Sequence, residues 1–268
     1  MTTEKGEMIG RGRSAEIFTW KDNQVLKLYL EGSRSAGVER EAQTSMAVHK
    51  AGLPVPETEG IVEVDGRLGI VFERVEGRSM FDVLEKEPWK LFRLARVMAE
   101  LHATMHSYEL PELVSRRERL EDIIRAVAAL PTNTKEAVLK VLSQLPDGNA
   151  VCHGDFFVDN IVMSARGPII IDWGGAARGD PLADVARTWL LHRLAYVKAG
   201  IPERWIIPPM RALFHYVYLR RYLQIRPGSR KQITAWLLPV VAARLAENVP
   251  GEEERFLALI EAKLKSQR

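Results

Sequence analysis

Between Val151 and Trp173 a short β pattern interrupts a long run of helical periodicity, and it constrains the fold more than any other stretch of the chain. Ile161 to Ser164 and Pro168 to Ile171 are apolar runs of strand length, joined by Ala165-Arg166-Gly167. A strand–turn–strand unit with that three-residue turn places Asn160, just before its first strand, opposite Asp172, just after its second. Their Cβ atoms are then expected within roughly 5 Å of each other. An amide oxygen and a carboxylate are hard donors suited to Mg²⁺. Asp155 lies on the segment leading into the same hairpin end. Two metal donors and a nearby carboxylate are what phosphoryl transfer to a hydroxyl requires.

The sequence on either side differs in character. Glu7 to Ile9, Glu16 to Trp20 and Gln24 to Leu30 read as short strands. A helix is expected from Ser35 to Ala51, stopped by Gly52 and Pro54. Gly60 to Val64 and Arg67 to Arg74 flank Asp65-Gly66, a tight hairpin signal. After Gly77 helices dominate: Pro88 to His106, Glu112 to Leu130, Thr134 to Leu145, Pro181 to Lys198, Pro202 to Ile225, Arg230 to Glu247 and Gly251 to Lys265. The expected class is α+β, with a β-rich N-terminal part over 1–76 and a mainly helical C-terminal part over 77–268.

The first part supplies chemistry of its own. Gly10-Arg11-Gly12-Arg13-Ser14 falls between two strands, where backbone N–H groups can form a nest for phosphate. Lys27 sits among Val25, Leu26, Leu28 and Tyr29, an expensive place for an ammonium without a partner. Glu41 on the following helix is a credible partner, and Glu39 shares its phasing. A lysine so paired is placed to hold the α/β-phosphates of a nucleotide.

Composition removes other classes. With 46% hydrophobic and 27% charged residues among 268, the chain is neither disordered nor short of a core. No apolar run approaches the roughly 20 residues of a membrane span, and from the polar stretch Met1 to Gly6 no secretion signal is expected. A single cysteine, Cys152, excludes an intrachain disulfide and fits a reducing cytoplasm. A net charge of +3 is too mild for a nucleic-acid binder.

The motifs together resemble the aminoglycoside phosphotransferase and choline-kinase-like family, small-molecule relatives of the protein kinases. The resemblance rests on Ile9-Gly10-Arg11-Gly12, on Lys27 in Val25-Leu26-Lys27-Leu28, and on Glu41 in Arg40-Glu41-Ala42. It continues through Leu101-His102, His153-Gly154-Asp155 to Asn160, Ile171-Asp172-Trp173, and Asp180-Pro181-Leu182-Ala183-Asp184. It implies a bilobal protein-kinase-like fold, ATP or GTP as phosphate donor, and Mg²⁺. It assigns Asp155 as the catalytic carboxylate, and Asn160 and Asp172 as metal ligands. Nucleotide contacts fall to Gly10, Gly12 and Ser14, to Lys27 with Glu41, and to the hinge from Phe72 to Val75, including Glu73. Asp184 is expected to anchor the catalytic loop. Phe157 stands where Ser/Thr protein kinases carry a lysine, which points to a small-molecule acceptor. A nucleotide-binding pseudokinase is the competing class, and the intact polar set speaks against it.

Several other features have plainer readings. His102 and His106 lie four apart on a helix but lack the glutamate of a zinc-binding His-Glu-x-x-His, so core histidines beneath the loop are expected. Cys152 and His153 are neighbours in extended chain and point to opposite faces, so they form no nucleophile–base pair. Phe214, Tyr216, Tyr218 and Tyr222 read as core. Residues 185–245 hold eleven Lys/Arg against one acid, Glu203. Were that face to meet the acceptor, it would favour a neutral or anionic hydroxyl compound over a polycationic aminoglycoside.

Overall fold

In the computed structural model, residues 5–194 and 207–265 are described. The strands are β1 (Met8–Arg11), β2 (Ala15–Thr19), β3 (Gln24–Tyr29), β4 (Thr58–Val64), β5 (Arg67–Glu73), β6 (Gly77–Ser79), β7 (Ala150–Cys152), β8 (Ile161–Ser164), β9 (Gly167–Ile170) and β10 (Ala177–Gly179). The helices are α1 (Ser35–Lys50), α2 (Met80–Lys86), α3 (Leu91–Met105), α4 (Arg116–Ala126), α5 (Thr132–Gln144), α6 (Pro181–Arg193), α7 (Ile207–Ile225), α8 (Arg230–Arg244) and α9 (Glu253–Lys265). The expected end of the helix at Lys198 and the expected start at Pro202 lie outside the described residues.

Two compact units are present, Met1–Lys86 with Val158–Ala176, and Glu87–Phe157 with Ala177–Arg268. In the first, β1 to β5 form an antiparallel sheet in the order β1-β2-β3-β5-β4. Strand β3 shows how side-chain alternation builds it. Leu26 and Leu28 point to one face and pack with Phe18 and Val71. Tyr29 points to the other, where Ala15 and Ile70 meet Val38 and Ala42 of α1. Lys27 alternates with Leu26 and Leu28 and therefore faces α1 too. Asp65 (φ 54°) and Gly66 (φ 70°) adopt the left-handed pair that closes a tight β4–β5 hairpin.

A second sheet in the same unit has the order β6-β8-β9. It ties Gly77–Ser79 to the 161–170 hairpin, so this unit continues past the sequence-based division at 76 and takes in the hairpin as well. Pro168, which cannot donate to a ladder, sits in the edge strand β9. The β interruption seen in the sequence therefore belongs to two sheets. Strand β8 pairs with β6 and β9, whereas β7 pairs with β10 in the second unit.

In the second unit, α8 packs against α4, α5, α6 and α9, and α7 packs against α3 and α6. Helix starts follow local capping chemistry. The Asp180 side chain accepts from Leu182 N at 2.7 Å, with Pro181 in the first turn of α6. Helix α4 begins at Arg116, not Glu112, because Ser115 accepts from Glu118 N.

Candidate active site

The first unit gathers one group of predicted residues around Lys27. Its ammonium donates to Glu41 Oε1 at 2.6 Å and to Asp172 Oδ1 at 2.7 Å. Burial alone would lower the lysine pKa, but Asp172, then Glu41, outweighs it and the value is raised. Glu39 is exposed, so the partner is Glu41. Sequence reasoning missed Tyr29, whose hydroxyl donates to Glu41 Oε2 at 2.6 Å. Burial, followed by the Glu41 charge, raises the pKa of that phenol. Both oxygens of the buried Glu41 carboxylate thus have donors. Gly174 lies against it too: a methyl group there would stand 2.5 Å from Glu41 Oε2.

The hairpin carrying Asn160 and Asp172 pairs Ile161 with Ile170 and Ser164 with Gly167. Ile171 N donates to Asn160 O at 3.0 Å, so Asn160 faces Ile171, one residue earlier than expected. The turn is two residues, not three. Ser164 Oγ closes it by donating to Gly167 O at 2.7 Å and accepting from Arg166 N at 3.1 Å. Asp172 then turns out of the strand with φ 65° and ψ 66°, the left-handed region that a residue with a side chain seldom adopts. An exposed carboxylate and a half-buried amide lie at the same hairpin end, a donor pair chemically suited to Mg²⁺.

Gly10 and Gly12 flank the end of β1, and Gly12 N donates to Ala15 O at 2.8 Å. Gly10, Ile17 and Lys27 form one row across β1, β2 and β3, so the glycine segment and the lysine share a sheet face. A methyl on Gly10 would meet Ile17 at an ordinary 3.6 Å, so packing alone does not demand glycine. Ser14 O accepts from Leu30 N at 2.9 Å. In the hinge, Glu73 N donates to Glu57 O and Arg74 N to Asn23 O, while Glu73 Oε1 accepts from Arg166 Nη2 at 2.7 Å. Val75 lies two residues past the end of β5.

In the second unit the loop His153-Gly154-Asp155-Phe156 is gripped by one face of α6. Asp184 accepts from His153 N at 2.6 Å and from Gly154 N at 2.7 Å. Arg187 donates to Gly154 O at 3.2 Å and to Asp155 Oδ1 at 3.0 Å. Thr188 Oγ1 donates to Phe156 O at 2.9 Å. Positions i, i+3 and i+4 of one helix thus hold four consecutive loop residues. Asp155 N also donates to His153 Nδ1 at 3.2 Å.

Beneath the loop, Asp184 Oδ2 meets His102 Nε2 at 3.1 Å and His106 Nε2 at 3.4 Å. The other ring nitrogens bond to Tyr218 OH and Tyr222 OH at 2.6 and 2.7 Å. Burial would raise the Asp184 carboxyl, but hydrogen bonds from His102 and His106 hold it well below the usual range. Burial, then His106, pushes His102 down to about 3. These two are core histidines. Phe214, Tyr218 and Tyr222 are buried and Tyr216 is exposed. Cys152 is buried, and burial raises its thiol pKa well above the usual value, as for a cysteine that packs in a core.

Part of the basic charge of 185–245 is paired with acids outside the segment. Arg187 pairs with Asp155 and Glu247, Arg221 with Glu100, and Arg244 with Glu247 and Glu252. Lys198, Glu203 and Arg204 lie outside the described residues.

The antiparallel sheet of the first unit and the helices of the second are those of a protein-kinase-like fold. A family model described as "Phosphotransferase enzyme family" matches residues 6–230, and the chain belongs to that family. A curated relative, acyl-CoA dehydrogenase family member 11 of Gallus gallus, is 32% identical over 174 residues. The match takes in 56% of this chain and 22% of that protein, so the chain spans about a fifth of the relative's length. Among solved structures, a thermostable mutant of aminoglycoside phosphotransferase APH(4)-Ia, in ternary complex with AMP-PNP and hygromycin B, aligns with a TM-score of 0.66 at 16% identity. That alignment covers 97% of this chain and 91% of the other. A choline/ethanolamine kinase family protein from Mesorhizobium loti aligns at 0.59 and 18% identity, over 99% and 88% of the two chains. At such identities these likenesses speak for the fold. Among the described residues no helix is long and apolar enough to cross a membrane.

Proposed function

We propose that this protein transfers the γ-phosphoryl group of ATP to a hydroxyl of a small molecule, with Asp155 as the catalytic carboxylate. The observation that carries the reading is the state of Asp155. Its neighbours Gly154 and Phe156 are held to α6 through their backbones, while its own side chain, bonded to Arg187 and 39% exposed, is open to a substrate. There it would orient the acceptor hydroxyl and take its proton as the O–P bond forms. Lys27, held by Glu41, would grip the phosphates, and Gly10, Gly12 and Ser14 would line the triphosphate. Val75 would offer backbone groups to adenine, with Glu73 closing the sheet beside it. ATP is favoured as donor because the APH(4)-Ia neighbour binds AMP-PNP.

Asn160 and Asp172 would hold Mg²⁺, whose charge at the phosphate oxygens would offset the negative charge of the transfer. The oxygen donor pair at the hairpin end fits that ion, and Lys27 on Asp172 Oδ1 balances the carboxylate.

For the acceptor we favour a neutral or anionic hydroxyl compound. The support is the scarcity of acids in 185–245, with Glu203 the single one. Arg187, Arg221 and Arg244 add nothing to it, since they are ion-paired. The APH(4)-Ia neighbour binds hygromycin B, which makes an aminoglycoside the necessary control. ATP consumption across a panel of sugars, amino alcohols, hydroxy amino acids, phosphorylated metabolites and aminoglycosides tests the reading. Turnover with a neutral or anionic member is expected. Efficient turnover of aminoglycosides alone would overturn the charge preference and leave the kinase reading intact.

A further inference from the structure

The Asp155 side chain is held by an arginine that no part of the loop motif predicts. Arg187 Nε donates to Gly154 O at 3.2 Å while Nη2 donates to Asp155 Oδ1 at 3.0 Å. A single planar guanidinium therefore holds the backbone of one loop residue and the side chain of the next. Only a rigid fork of donors does both; a lysine ammonium is a point charge on a flexible stem. The arginine is itself held from behind. Its Nη2 lies 2.6 Å from Glu247 Oε1, and its side chain is 10% exposed.

Glu247 lies just past α8, where Arg244 also pairs with it, and Arg244 Nε in turn meets the buried Glu252 at 2.8 Å. Two guanidiniums and three carboxylates alternate along this chain of contacts, leaving Asp155 at its exposed end. A carboxylate on a loop has two free torsions, and misplacing a catalytic group by about 1 Å can cost about 100-fold in rate. The network removes that freedom.

We infer that Arg187, braced by Glu247, is a positioning residue for phosphoryl transfer: it clamps Gly154 and the Asp155 carboxylate as one unit. The inference rests on the reading of Asp155 as the catalytic carboxylate. Glu247 enters because a nearly buried guanidinium shared with an exposed carboxylate needs a second anion to stay in place.

Turnover of Mg·ATP, with water as acceptor and with the best hydroxyl compound of the panel, is compared for wild type, Arg187→Ala, Arg187→Lys and Glu247→Gln. Thermal melting and the ATP KM are measured alongside. Arg187→Ala is expected to lose roughly 100-fold in kcat with little change in ATP KM, and millimolar guanidinium is expected to restore part of the rate. Arg187→Lys keeps the charge but not the fork, and is expected to stay at least about tenfold down. Glu247→Gln is expected to fall in the same direction by less. Wild-type kcat in Arg187→Ala would overturn the proposal. So would a loss that guanidinium does not relieve and that tracks lowered melting and raised ATP KM. Asp155→Asn separates the two readings. If it is inactive while Arg187→Ala is fully active, the positioning role alone fails; if Asp155→Asn is active, the catalytic assignment fails first.

Discussion

Lys27 Nζ sits 2.7 Å from Asp172 Oδ1 and 2.6 Å from Glu41 Oε1, so one ammonium joins residues 145 and 14 positions away in the chain. Asp172 is thus the charged member of the proposed metal pair and a partner of the lysine proposed to grip the phosphates. Asp172→Ala is expected to abolish the Mg²⁺-dependent part of ATP affinity, whereas Asn160→Ala keeps some of it. Isothermal titration with and without Mg²⁺ checks this, and unchanged Mg·ATP affinity in Asp172→Ala would remove the hairpin end as a metal site.

Gly174 marks how closely the hairpin is fitted to α1. A methyl at that position would lie 2.5 Å from Glu41 Oε2, and Glu41 is held by both Lys27 and Tyr29. Gly174→Ala is therefore expected to cost about 1–3 kcal/mol through overpacking and to raise the ATP KM by loosening the Lys27–Glu41 pair. Urea unfolding and steady-state kinetics would read both effects. A variant with native stability and native KM would show that Glu41 can shift freely.

The buried imidazoles predict acid lability. Burial, then the neighbouring imidazole, holds His102 at about 3 instead of 6.5. Burial likewise lowers His106, lowers His192 well below its usual value and pushes His215 to about 3. Below pH 6.5 the unfolded chain takes up protons that the folded chain does not, so stability falls as pH falls. The slope is at most about 1.4 kcal/mol per pH unit for each imidazole. The depressed Asp184 adds loss of the same sign as pH passes through its unfolded value near 3.8. Urea midpoints are expected to be level above about pH 7 and to drop steadily towards about pH 5. A level profile across that range would mean the histidines titrate normally.

How much of this was legible in the sequence depended on range. The β4–β5 hairpin was, because Asp65-Gly66 carries its own turn chemistry. So were Lys27 and Glu41, since a charged residue mid-strand calls for a partner on the next element. The 161–170 hairpin was seen but one residue out of register, because the Ser164 hydroxyl closes a shorter turn than residue counting suggests. Strand β6 and helix α2 were missed, although Ser79 and Asp82 cap each other reciprocally, a signal the sequence does contain. Arg187 and Glu247 were not legible. Their pairing with Asp155 joins residues far apart in sequence, and no local pattern distinguishes a clamped arginine from a solvated one. The pairing within 185–245 was not legible for the same reason, since the partners of Arg187, Arg221 and Arg244, namely Asp155, Glu100, Glu247 and Glu252, lie outside the segment counted.

The central claim is that Asp155 performs the chemistry of phosphoryl transfer, and its most direct test is the turnover of Asp155→Asn with Mg·ATP and an acceptor that the wild type phosphorylates. The side chain keeps its size but can no longer accept the acceptor's proton. The account predicts ATP affinity close to wild type and phosphorylated product formed slower by several orders of magnitude. Asp155→Asn turning over at the wild-type rate would contradict it.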